Sequence, residues 1–281
     1  MRRSRNLPLF LALCGLLALP ACSGGKPGKD EATGKAGNAA APPGNAAAAN
    51  ETAPGPGPQS LSEDSEGYEF SYKWPAAASA IPELNAWLNG NGERLLAQTK
   101  AAALSEKVEA KKEGYPFHGH SYEEDFGVNA NTPRMLVLLS NGYVFTGGAH
   151  GMPINTAIIW DKGTKKRLAT AALIDLPRFA DLAKKRFCDE LDKQRAEKRG
   201  EPVKHDDPNE LDDFVRCVDM TKQLILPVSK GGKALDMVKI VIAPYEAGPY
   251  AEGTYEIDLP LDAGLLKAVK APYREAFAAA S

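Results

Sequence analysis

The chain has 281 residues, of which 43% are hydrophobic and 25% are charged, and its formal net charge is −2. Removal of residues 1–21 takes away three arginines and lowers this charge from −2 to −5. A mildly acidic protein lacks the basic face that nucleic-acid binding requires, so we exclude DNA and RNA as partners.

The N-terminus has the pattern of a bacterial lipoprotein signal. Residues 1–5 are positively charged, residues 9–19 are apolar, and Leu-Pro-Ala-Cys ends at Cys22. The apolar run is shorter than the roughly 20 residues that a membrane-spanning helix needs. We predict a signal peptide at 1–21 and lipidation of Cys22, which anchors the protein in the cell envelope with its folded part in the periplasm. Ser23 favours the outer membrane over the inner one. The alternative is an ordinary secretory signal followed by a stray cysteine.

Residues 22–65 are rich in alanine, glycine, proline and asparagine and have almost no large apolar side chains. Such a segment cannot offset the entropy lost on ordering, so we predict a disordered tether. The folded part is then expected over about 66–281, which is a plausible size for one domain or two small subdomains.

Cys188 and Cys217 are the two cysteines that remain after Cys14 is lost with the signal and Cys22 is lipidated. A disulfide is the expected state of such a pair outside the cytoplasm. The alternative is a redox pair, although no Cys-x-x-Cys motif is present.

The apolar patterns predict the order helix, strands, helices, strands, helix. This order is typical of an α+β protein with mixed or antiparallel sheets packed with helices. The pattern predicts strands at 68–74, 154–161, 237–243 and 254–261, a hairpin at Asn141-Gly142, and helices at 82–112, 177–199 and 262–277.

Two segments are unusually rich in glycine and aromatic residues. They are Tyr-Val-Phe-Thr-Gly-Gly-Ala-His-Gly at 143–151 and Pro-Tyr-Glu-Ala-Gly-Pro-Tyr-Ala-Glu-Gly at 244–253. Together they resemble the RsiV/PdaC-like extracytoplasmic domains, which comprise the sensor domain of RsiV-type anti-sigma factors and the non-catalytic N-terminal part of PdaC-type deacetylases. The resemblance extends over about 66–262, with Phe145 where the first motif usually has tyrosine.

The resemblance implies a PdaC-like N-terminal subdomain at 66–172 and an RsiV-like C-terminal subdomain at 173–281. It also implies a binding function, with lysozyme as the partner that the RsiV-type domain is known to bind. It does not carry over particular contact residues. It implies no cofactor, and the chain lacks the sigma-binding segment and the catalytic domain of these families.

Within the two motifs, His150, Tyr245, Glu246, Tyr250 and Glu252 are the candidate residues for contact with a ligand or partner. An aromatic and acidic rim is suited to a basic protein or a glycan. The alternative is a connection bounded by proline and glycine whose tyrosines pack on the core.

His118, His120 and His150 raise an enzymatic alternative. Three histidines with the nearby carboxylates at 123–125 could hold zinc in a metal-dependent cell-wall hydrolase or deacetylase-like enzyme. However, no His-Glu-x-x-His motif is present, and a His-Gly-His loop is more often plain surface.

We therefore predict a lipid-anchored, non-catalytic binding module of the cell envelope, without metal or cofactor. Its expected partners are the membrane, through the lipid, and a lysozyme-like protein or peptidoglycan. A third hypothesis is that the protein is a structural lipoprotein that binds no small ligand.

Overall fold

A computed structural model describes residues 56–206 and 211–280. The predicted signal peptide, Cys22 and most of the tether lie outside these residues. Within the described part, no helix is both long and apolar enough to cross a membrane.

Seven strands form the first sheet. They are β1 (Gln59–Ser65), β2 (Tyr68–Trp74), β3 (His120–Asn131), β4 (Met135–Phe145), β5 (Met152–Ile154), β6 (Ala157–Asp161) and β7 (Lys166–Leu168). The order is β1-β2-β3-β4-β6-β7, and β5 pairs with β4. Strands β2 and β3 are parallel and the other pairs are antiparallel, so the sheet is mixed.

The helices and a second, antiparallel sheet complete the described fold. The helices are α1 (Ala76–Ser79), α2 (Pro82–Glu113), α3 (Thr170–Leu173), α4 (Leu176–Arg199) and α5 (Asp212–Val215), and the sheet is formed by β8 (Leu224–Val228), β9 (Met237–Ile242) and β10 (Tyr255–Pro260). Short 3-10 helices cover Met220–Lys222, Tyr250–Glu252, Leu265–Ala268 and Ala271–Ala276. The predicted α+β class is confirmed.

Strand β4 is buried on both of its faces. Leu136 and Leu138 belong to one core, beneath α2, whereas Met135 and Val137 belong to another, shared with α4 and the second sheet. This explains the continuous apolar run at the start of β4, since a strand covered on both sides has no polar face. The division near residue 172 stays a prediction, because the second core contains residues from both sides of it.

The predicted end of the tether at residue 65 is wrong. Gln59–Ser65 form β1, which pairs along its whole length with β2. The seven residues of β1 are mostly polar, as an edge strand allows, and Leu61 is the apolar residue of β1 that packs against the core.

The predicted hairpin at Asn141-Gly142 is also wrong, because β4 continues through these residues to Phe145. The turn lies earlier, between β3 and β4, where the N–H of Thr132 donates to the carbonyl of Met135. Gly142 is required for packing: a Cβ there would lie 2.6 Å from the carbonyl oxygen of Glu123 and 2.8 Å from Cγ1 of Ile154.

The last predicted helix, 262–277, is replaced by two 3-10 helices. Val269 and Lys270 are extended between them, and Pro272 lacks the N–H that a continuous helix would need. The sequence reading also missed β8, whose five residues include Pro227. The helices at Pro82–Glu113 and Leu176–Arg199 are confirmed.

Candidate functional site

The two glycine-rich motifs meet at an aromatic cluster formed by His150, Tyr245 and Tyr250. The turn after β4 carries His150, and the loop between β9 and β10 carries both tyrosines. The ring centroid of His150 lies 4.0 Å from that of Tyr250 and 6.4 Å from that of Tyr245, and the two tyrosine centroids are 5.7 Å apart. The ring planes are inclined to one another by 27–33°. Residues that are 95 positions apart in the chain therefore form one aromatic surface.

Hydrogen bonds to Gly151 hold this cluster together. Its carbonyl oxygen accepts from Nδ1 of His150 at 3.0 Å and from the hydroxyl of Tyr250 at 2.8 Å, and its N–H donates to the hydroxyl of Tyr143 at 3.0 Å. Since a carbonyl only accepts, the proton of the neutral imidazole lies on Nδ1. Nε2 is then an acceptor, and the hydroxyl of Tyr245 lies 3.3 Å from it.

Glycine is the residue that position 151 requires. A Cβ there would lie 2.4 Å from Cζ of Tyr143 and 2.5 Å from the carbonyl oxygen of Val144. The close approach of the turn to β4 fixes Tyr143 against the backbone next to His150.

Tyr245 has the unusual backbone conformation φ = 72°, and its side chain is 50% exposed. A positive φ in a bulky residue is strained, and such strain persists where the surrounding structure enforces it. Here the N–H of Tyr245 donates to the carbonyl of Gly248, and the N–H of Glu246 donates to that of Ala243. The tight turn keeps the tyrosine ring at the surface.

Glu252 points away from this surface and forms an internal ion pair. Its carboxylate accepts from Nε of Arg199 at 2.8 Å and from Nη2 at 3.2 Å, and it also accepts a hydrogen bond from the Tyr255 hydroxyl. Burial raises the pKa of Glu252, but these hydrogen bonds lower it more, so the pKa lies below its usual value. Burial, with the hydrogen bond to Glu252, raises the pKa of Tyr255. Glu252 is therefore a structural residue of the loop.

The last turns of α4 hold in place the loop between β9 and β10, which carries Tyr245 and Tyr250 and is called the tyrosine loop below. This support was not predicted from the sequence. Arg195 is fully buried and donates from Nε to the carbonyl of Ala247 at 2.9 Å. Lys198 donates to the carbonyls of Glu252 and Thr254. A signal was present in the sequence, because Arg195 continues the buried series Phe187 and Leu191 at helical spacing.

The predicted disulfide between Cys188 and Cys217 is present, with Cα atoms 5.3 Å apart. It fastens the segment after α5 to α4. The carbonyls of Phe214, within α5, and of Arg216, directly after it, accept hydrogen bonds from Arg199 and Arg195, respectively. The disulfide attaches the chain after α5 to the middle of α4, and Arg195 and Arg199 hold α5 and the residue after it against the end of the same helix.

The structure does not bring the three predicted histidine ligands together. His120 is buried and shares a hydrogen bond between Nε2 and the carboxylate of Glu106, whereas His118 is exposed. Among the residues that the structure describes, no three His, Cys, Asp or Glu side chains are arranged to hold a metal ion. The arrangement of His118, His120 and His150 does not support the zinc-site alternative.

Of the five predicted contact residues, His150, Tyr245 and Tyr250 form the aromatic cluster. Glu246 is exposed in the same loop, and Glu252 is turned inward. A separate cleft of about 420 Å³ is lined by Phe187, Cys217 and Met220, among others, and by none of the five.

A comparison with known protein families matches part of the first sheet and α2. Residues 61–153 match the family model described as Deacetylase PdaC. Residues 61–153 are therefore similar to the PdaC family, which confirms the PdaC-like resemblance predicted from the sequence.

Two crystal structures of DUF3298 family proteins are similar to this chain. One, from Pseudomonas aeruginosa PAO1, is 18% identical, covers 77% of this chain and 95% of its own, and has a TM-score of 0.43. The other, from Bacteroides fragilis NCTC 9343, is 13% identical, covers 78% of this chain and 96% of its own, and has a TM-score of 0.44. No curated protein shows significant similarity to the chain.

Proposed function

We propose that this protein is a lipid-anchored, non-catalytic binding module of the bacterial cell envelope. The observation that carries the proposal is the aromatic cluster, in which His150 and Tyr245 are exposed and Tyr250 is partly buried. Aromatic side chains of this kind supply much of the contact energy at binding surfaces, because they offer a large, rigid area at a low cost in conformational entropy.

The cluster is preorganised for binding. Gly151 accepts hydrogen bonds from two of its rings, and the strained turn at Tyr245 is fixed by backbone hydrogen bonds. Side chains that are ordered before the ligand arrives lose less entropy on binding, which raises affinity. A connection whose tyrosines merely fill the core would bury Tyr245, but this ring is half exposed.

The partner is an extracytoplasmic molecule, either a lysozyme-like protein, as the family resemblance suggests, or a component of the cell wall. The acidic charge of the mature chain favours encounter with a cationic protein and affects the association rate more than the affinity. Lipidation at Cys22 would hold the module at the membrane, preferentially the outer one, on a tether that ends before β1. Labelling cells with a palmitate analogue tests the anchor, since Cys22→Ser should abolish the label.

A capture experiment tests the binding function. The full-length protein is immobilised and presented with hen lysozyme and, separately, with purified peptidoglycan. We expect at least one to be retained, and the double variant His150→Ala/Tyr245→Ala to lose this retention. Tyr115→Ala is the matched control, because Tyr115 is 42% exposed at the end of α2 and is not part of the cluster. Retention that is equal in all variants would refute the aromatic cluster as the binding surface.

A further inference from the structure

We infer that the cluster of His150, Tyr245 and Tyr250 binds a neutral glycan of β-linked pyranose rings. This inference rests on the proposed binding function and names its ligand class. The ligand would stack one sugar face on the aromatic rings and place its hydroxyl or acetamido groups at their polar edge.

The arrangement of the rings suits a sugar face. Aromatic rings carry negative charge on their faces, which attracts the weakly positive C–H groups of a pyranose whose substituents are equatorial. His150 and Tyr250 stack face to face with their centroids 4.0 Å apart, so each covers one face of the other, and the ring of Tyr245 lies beside this stack. Tyr245 is half exposed and His150 is exposed, which leaves ring surface free for a ligand.

The polar groups at the edge of the cluster have defined roles. Because Nδ1 of His150 donates to Gly151, Nε2 accepts from the hydroxyl of Tyr245. The oxygen of that hydroxyl retains lone pairs that can accept a hydrogen bond from a sugar hydroxyl. A fixed acceptor beside an apolar ring face matches the alternation of C–H faces and hydroxyl edges in a pyranose.

The charges at the cluster favour a neutral glycan over a cationic protein. Of the two carboxylates in the tyrosine loop, that of Glu252 is already paired with Arg199, and that of Glu246 is exposed. A stable protein interface also buries roughly 1,200–2,000 Å², far more than three rings provide. A protein partner would have to extend onto the neighbouring sheet, where the exposed Glu123 lies opposite Tyr143.

Calorimetric titration of the full-length protein with the tetrasaccharide tetra-N-acetylchitotetraose tests the inference. We expect saturable binding that is at least tenfold weaker in Tyr245→Ala and unchanged in Tyr115→Ala. Tyr245→Phe keeps the ring and loses the hydroxyl, so it should retain part of the affinity. Thermal unfolding of each variant establishes that it is folded, and His150→Ala provides a second test should Tyr245→Ala be unfolded.

Two results would overturn the inference. One is the absence of binding up to about 10 mM tetrasaccharide, a range in which a millimolar Kd is visible. The other is equal affinity in the native protein and in folded Tyr245→Ala and His150→Ala. If lysozyme is captured in a manner that depends on Tyr245 and Glu123 while no glycan binds, the glycan inference fails and the proposed binding function stands.

Discussion

Arg199, the last residue of α4, clamps Glu252 in the tyrosine loop through two hydrogen bonds, from Nε at 2.8 Å and from Nη2 at 3.2 Å. The side chains are only 17% and 11% exposed, so the pair is weakly screened by water. The pair links the disulfide-fastened helix to the loop that carries Tyr245 and Tyr250.

Glu252→Gln should destabilise the protein by about 1.5–3 kcal/mol at pH 7, because hydrogen bonds to a charged group are lost. The pKa of Glu252 is lowered by Arg199 and Tyr255, so its contribution is complete above the unfolded value of about 4.3 and is lost as the pH falls through the lower, folded value. Urea unfolding at pH 7 and at about pH 3 should therefore show a smaller difference between native and variant at the lower pH. Glu246→Gln is the control, since Glu246 is exposed, and it should change little at either pH. An equal loss for both variants would contradict this account.

The double variant Cys188→Ser/Cys217→Ser should lose about 3–4 kcal/mol of stability. The disulfide spans 29 positions, and the chain-entropy estimate for a loop of that size gives this magnitude. Urea unfolding with and without a reductant measures it: the native protein should be weakened by the reductant, and the double variant should not respond. A reductant effect on the double variant would show that the effect does not arise from this disulfide.

Gly151→Ala should destabilise the turn before β5 by about 1–3 kcal/mol, because a Cβ has no room beside Tyr143 and the carbonyl of Val144. The variant should also weaken ligand binding, since the cluster is built around the Gly151 backbone. Gly231→Ala is the matched control, because nothing lies within 4 Å of its Cβ position and its φ is not positive. Thermal unfolding and capture are the measurements, and equal behaviour of the two variants would refute the steric argument.

Gly90→Ala and Gly92→Ala should have opposite effects, although both residues lie in α2. Alanine at position 90 meets open space and should stabilise the helix by roughly 0.5–1 kcal/mol. Alanine at position 92 would have its Cβ 2.9 Å from Cδ1 of the fully buried Tyr72, so it should be destabilising. The measurement is the free energy of unfolding of each variant relative to the native protein. Changes of the same sign in Gly90→Ala and Gly92→Ala would contradict the packing of α2 on β2.

The sequence predicted those features that depend on local spacing. The apolar series in α2 and α4 and the alternation in β2 were enough to identify these elements, because each buries one repeating face. The pairing of Cys188 with Cys217 was predicted from the number of cysteines and from the predicted extracytoplasmic location.

It failed where tertiary contacts override a local signal. Asn-Gly is a frequent pair in tight turns, but Gly142 lies within β4. Glycine is required at this position because Glu123 and Ile154 leave no room for a side chain. Glu252 lies in a polar, glycine-rich segment, so the sequence suggests an exposed carboxylate. In the structure it pairs instead with Arg199, which is 53 positions away in the chain. The role of His150, Tyr245 and Tyr250 was predicted from two motifs, whereas the Gly151 contacts that join them required the structure.

The proposed binding surface can be tested most directly by NMR of the full-length protein with labelled histidine side chains. The chain has four histidines, of which His150 alone belongs to the aromatic cluster. On titration with soluble peptidoglycan fragments or with lysozyme, we predict that the ring signals of His150 shift in a saturable manner while those of the exposed His118 stay unchanged. Saturable binding of either ligand that leaves the His150 signals unmoved would contradict the central claim.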